Sequence, residues 1–85
     1  MKIRLTAEFD REYKRRIKGN GALEKKVKKQ ILMVQNNIRH PSLRLHKLQH
    51  GQFWSASIDE SVRILLIIDD QFITIYHIGK HEDVY

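Results

Sequence analysis

Residues 72–85 read FITIYHIGKHEDVY. From residue 72 to residue 78 apolar side chains alternate with the two-residue period of a half-buried strand, and Gly79 is the expected stop. Lys80, His81, Glu82, Asp83 and Tyr85 follow at once. Strand formation does not require Lys, His and Tyr there, so the pattern places chemistry at the rim of a sheet.

Upstream, the same period continues to residue 43. Residues 62–69, VRILLIID, are apolar on both faces and predict a central strand; residues 43–48 and 53–58 alternate as its neighbours do. Short polar turns at 49–52, 59–61 and 69–71 suit antiparallel hairpins, which makes the C-terminal half a four-stranded meander.

The N-terminal half has a different period. Residues 2–5 are a short strand candidate. Thr6 is a helix N-cap, with Glu8 and Asp10 in the first turn, where the helix dipole favours them. Phe9, Tyr13 and Ile17 form one apolar stripe; Gly19-Asn20-Gly21 breaks the helix. A second stripe, Leu23, Val27, Ile31, Val34 and Ile38, ends before Pro41. The expected class is α+β: a short N-terminal strand, an antiparallel helical hairpin, then the meander.

At 85 residues the chain is one domain, 1–85, with a single compact core. It has no cysteine, which excludes disulfides and thiolate zinc sites and points to a reducing cytoplasm. The longest apolar run, 64–68, is far shorter than the roughly 18 residues a membrane span needs, and residues 1–9 hold no signal-peptide core. A soluble cytosolic protein is expected. Sixteen Lys and Arg against ten Asp and Glu give a net charge of +6, which favours polyanionic partners: nucleic acid or an acidic protein.

Within the most apolar strand stands Arg63. Burying it alone would cost several kcal/mol, so it needs an anion. That anion is either a structural carboxylate (Asp59, Glu82 or Asp83) or a phosphate, which guanidinium geometry suits. Histidines supply proton transfer: His46 on the second strand candidate, His77 near the end of the last, and His81 just past Gly79. RNA cleavage by its own 2′-hydroxyl needs a base, an acid for the leaving 5′-oxygen and positive charge on the phosphorane, with no metal. His77 and His81 lack the helical spacing and the glutamate of an HExxH zinc site. Trp54 shares its face with Ala56 and Ile58 and reads as core; Phe53, on the other face with Ser55 and Ser57, is the better base-stacking candidate. The basic helix faces, residues 11–18 and 25–29, read as solvated or as grips for a nucleic-acid backbone.

The run HKL-x-x-G-x-x-W-x-x-x-I, then R-I-L-L-I, then I-x-I-x-x-I-G-K-H-x-x-V-Y, resembles the RelE/ParE toxin superfamily of toxin–antitoxin modules, nearest its RelE and YafQ-like branches. The resemblance spans essentially the whole chain and is most specific in the C-terminal half. It implies a microbial-ribonuclease-like α+β fold and metal-independent, cofactor-free cleavage of mRNA in the A site of a 70S-type ribosome. The implied partner is a cognate acidic antitoxin, with the toxin monomeric when free and hetero-oligomeric with it.

Carried over by position, the family's strand arginine falls on Arg63, the residue after the last strand on His81, and the C-terminal aromatic on Tyr85. The YafQ-like histidine falls on His46, with an extra His50 before Gly51. Two lysines that RelE carries fall on Ser55 and Ser57, so a base role there moves to His46. The resemblance thus implies a catalytic set of His46, Arg63, His81 and Tyr85, with Lys47, Phe53, His77 and Lys80 contacting RNA. Two rivals share the fold: a ParE-like gyrase inhibitor that cleaves no RNA, and an inactive homologue that only binds antitoxin.

Overall fold

A computed structural model describes residues 1–49 and 51–80. The elements run β1 (Lys2–Leu5), α1 (Ala7–Ile17), α2 (Gly21–Asn36), a 3-10 turn (Pro41–Leu43), β2 (His46–Lys47), β3 (Trp54–Ser57), β4 (Val62–Ile68) and β5 (Phe72–Lys80). The sheet order is β1-β5-β4-β3-β2, with β2 to β5 antiparallel in succession and β1 added parallel to β5. The α+β class and the meander are therefore as expected, and VRILLII is the central strand.

Both helices start where side-chain chemistry dictates. The Thr6 hydroxyl accepts the Phe9 N–H at 3.0 Å, and the Asn20 side chain accepts the Leu23 N–H at 3.1 Å. Gly19, at φ +70, turns the chain between them in a conformation that costs glycine little. The buried stripes, Phe9 from α1 and Val27 and Val34 from α2, close over Ala56, Ile64, Leu66, Ile73, Ile75 and Ile78 of the sheet. Ile38 lies just past the end of α2 but still packs on this core.

Two strand boundaries differ from the sequence reading. The expected strand at 43–48 shrinks to His46–Lys47, because Leu43 ends a 3-10 turn and Arg44 and Leu45 are irregular. Pro41 enters with a fixed φ and no N–H to donate, the His40 ring nitrogen accepts the Ser42 N–H at 3.1 Å, and Arg44 closes the turn in the left-handed region at φ 44. Only His46 and Lys47 remain to pair with β3. Conversely, β5 does not stop before Gly79: Gly79 pairs with Arg63 and Lys80 with Val62.

A bulge in β5 shapes the site. Leu65 pairs with His77 but Leu66 with Ile75, so Tyr76 is the extra residue. Strict alternation would put Ile73, Ile75, His77 and Gly79 on one face. The bulge reverses the parity: Ile73, Ile75 and Ile78 face the helices, whereas His77 and Gly79 join Leu65 and Arg63 on the outer face.

β1 pairs with β5 only as far as Leu5 opposite Ile75, and α1 takes over the exposed strand edge from there. The Thr6 hydroxyl donates to the Tyr76 carbonyl at 3.0 Å, and a Glu12 carboxylate oxygen accepts the Ile78 N–H at 3.2 Å. An edge that would otherwise offer unpaired backbone groups is thereby satisfied by side chains.

Candidate active site

The outer sheet face carries two transverse rows. One runs His46, Ser55, Leu65, His77, each opposite the next across β2 to β5; the other runs Ser57, Arg63, Gly79. Three strand spacings of about 4.8 Å put the backbones of His46 and His77 about 14 Å apart. Arg63 lies between them, one row over.

Arg63 is only 7% exposed. Its Nε donates to the Ser55 hydroxyl, its diagonal neighbour on β3, and an Nη donates to the Arg44 carbonyl at 3.0 Å. Neither acceptor carries a charge. Of the carboxylates considered as structural partners, Asp59 is committed elsewhere: one oxygen accepts the N–H groups of Ser61 and Val62, both at 2.8 Å, and the Ser61 hydroxyl at 3.3 Å. Burial pushes the Asp59 carboxyl up, but these hydrogen bonds, helped by Lys26, outweigh it and hold the group below its ordinary value. Glu82 and Asp83 lie outside the described residues.

The left-handed Arg44 is the hinge of the site. Its carbonyl accepts from Arg63 and also faces His46 Nδ1 at 3.3 Å. A carbonyl can only accept, so this contact is a hydrogen bond in the tautomer that carries its proton on Nδ1. Nothing in the sequence around residue 44 advertises this arrangement except Pro41, which fixes where the 3-10 turn begins.

At the other end, His77 is held by α1: its Nδ1 is 3.2 Å from Glu12 and 3.7 Å from Glu8. Phe53 meets Tyr76 edge-on, ring centroids 5.5 Å apart, and lies tilted to His77 at 6.3 Å. Tyr76 and Glu12 were not among the expected site residues; the bulge that brings Tyr76 into play leaves no mark in the hydrophobic period.

Of the expected set, His46, Arg63, His77 and Phe53 share the outer face. Lys47, paired with Trp54, and Lys80, paired with Val62, are exposed but fall on the helix-side register. Trp54 packs against the core as expected. His81 and Tyr85 lie outside the described residues, as does His50. Among the described residues no three His, Cys, Asp or Glu side chains gather as metal ligands would, and no helix is long and apolar enough to cross a membrane.

The strand, helical hairpin and meander form a fold that several solved toxin structures share. E. coli YafQ from strain BL21(DE3) superposes with a TM-score of 0.82 over 98% of this chain and 96% of that one, at 15% identity. YafQ in the E. coli DinJ-YafQ toxin-antitoxin complex gives 0.81 over 98% and 94%, also at 15% identity. The YoeB dimer from Staphylococcus aureus gives 0.74 over 95% and 97%, at 20% identity. No family model matches the sequence, and no curated protein matches it. The likeness is one of fold, retained where sequence identity has fallen to a fifth or less.

Proposed function

We propose that the chain is the toxin of a type II toxin–antitoxin pair and inhibits translation by cutting mRNA on the ribosome, without a metal. The observation that carries the reading is Arg63: a buried guanidinium that shares the Arg44 carbonyl with a histidine, on the open face of a basic protein. A scissile phosphate fits such a group, and the fold shared with YafQ, which is solved in a toxin-antitoxin complex, supports the toxin role.

In the proposed reaction His46 takes the proton of the 2′-hydroxyl, whose oxygen attacks the adjacent phosphorus. Arg63 stabilises the charge that builds on the phosphorane oxygens. The bond to the 5′-oxygen breaks, His81 donates a proton to that oxygen, and a 2′,3′-cyclic phosphate remains. Tyr85 orients the nucleotide. Phe53 offers a ring for stacking and His77 contacts the flanking backbone, while Lys47 and Lys80 add positive charge at the sheet margins from the helix-side register. Ser55 and Ser57 stand where lysines would serve in RelE. Ser55 instead accepts from Arg63, which is consistent with a histidine rather than a lysine base.

The antitoxin is an acidic, amphipathic segment that covers the helical hairpin and the rim after β5. The test is cleavage of mRNA on stalled ribosomes from about pH 5 to 9. Wild type should give a bell-shaped profile, losing one limb in His46→Ala and the other in His81→Ala. A profile without a maximum, or an unchanged rate in His46→Ala, would place the base elsewhere, with His77 the next candidate.

A further inference from the structure

We infer that Arg44 is a positioning residue, whose left-handed backbone aims one carbonyl at both His46 and Arg63 and so sets the base tautomer of His46. The inference rests on the nuclease reading for its purpose but not for its geometry.

Three observations converge on this residue. Among the described residues, Arg44 is the only non-glycine at positive φ. A left-handed conformation is unfavourable for an ordinary L-residue and tends to persist where the surroundings impose it. Its N–H donates back to the Pro41 carbonyl at 3.1 Å, which locks the turn. Its own carbonyl then accepts an Arg63 Nη at 3.0 Å and lies 3.3 Å from His46 Nδ1.

The chemical consequence follows from the acceptor. With the proton held on Nδ1, neutral His46 carries its lone pair on Nε2, the nitrogen farther from the backbone and the one that can reach a substrate hydroxyl. The same oxygen tethers Arg63, so base and phosphate-binding group are indexed to one atom. A rotation of this one peptide would break both contacts together. That coupling separates the device from a mere turn, which would fix the chain path and leave the imidazole either tautomer.

Two measurements test it. In wild-type protein, 15N chemical shifts of His46 above its titration should show a protonated Nδ1 and an unprotonated Nε2; a dominant Nε2–H tautomer overturns the inference. Arg44→Gly, which adopts positive φ freely, should keep that signature and lower cleavage less than about threefold. Arg44→Val, whose branched side chain disfavours the left-handed region, should mix the tautomers and lower kcat by about 10²-fold, with KM little changed. Wild-type-like shifts and kcat in folded Arg44→Val would overturn the positioning role. Loss of the signature in Arg44→Gly would overturn the claim that the backbone conformation, not the side chain, does the positioning. A wild-type protein with the expected tautomer that cuts no message would instead overturn the nuclease reading.

Discussion

Arg63 is the residue on which sequence and structure meet most directly. An arginine among VRILLII stands out by composition alone, and its outward face follows from alternation with Val62 and Ile64. Of its expected partners, Asp59 uses its carboxylate on the β3–β4 turn and Glu82 and Asp83 lie outside the described residues, while Arg44, distant in sequence, supplies an unforeseen carbonyl. Arg63→Ala should lower message cleavage by at least 10²-fold. It should also cost about 1–3 kcal/mol in stability, because the Ser55 hydroxyl and Arg44 carbonyl lose a buried donor. Chemical denaturation separates the two effects; Arg63→Ala with wild-type cleavage would remove Arg63 from the site.

Asp59 gives a pH prediction at the same scale. Its folded pKa lies below the ordinary 3.8, so its stabilising contribution is complete above that value. It is lost as pH falls through the lower folded value. Asp59→Asn should therefore be less stable than wild type at pH 7, and the gap should narrow as the pH drops below about 4. A gap that is constant with pH would show that the carboxylate charge is not what the turn uses.

Among the elements, α1 does more than cover the core. From Thr6 to Glu12 it completes the edge of β5 where β1 stops, and Thr6 serves both as N-cap and as donor to Tyr76. Thr6→Ala should cost about 1–2 kcal/mol, whereas Thr6→Ser, which keeps both hydrogen bonds, should cost little; thermal unfolding of the two variants compares them. The N-cap, the stripes and the central strand were legible because each is a local pattern: a capping residue, a 3.6-residue period, a run of branched apolar side chains. The 3-10 turn was not, since Leu43 and Leu45 mimic alternation while Pro41 and Arg44 decide the backbone. Nor was the bulge, whose single extra residue shifts His77 to the outer face without changing composition. Those two irregularities place His46 and His77, so the site was less legible than the fold that carries it.

For the whole molecule, charge and topology set how it meets its partners. A net charge of +6 steers polyanions toward the chain, and the exposed pairs Asp10–Lys14 and Glu24–Lys28, at 3.0 and 3.4 Å, neutralise only part of the helix faces. Association with the acidic antitoxin proposed above should therefore slow markedly between 50 and 500 mM salt, roughly at the Debye lengths where surface charges stop seeing one another. Stopped-flow rates that ignore salt would point to an apolar docking surface instead. A fold shared with solved toxins does not by itself choose an activity. The choice falls on the outer face of the sheet and on whether its arginine meets a phosphate. Primer extension on a defined mRNA in a translating extract decides this most directly. Wild type should cut within the translated region and leave the same message intact when translation is blocked, and Arg63→Ala should leave it intact in both cases. Growth arrest by wild type with every message uncut would contradict the nuclease reading.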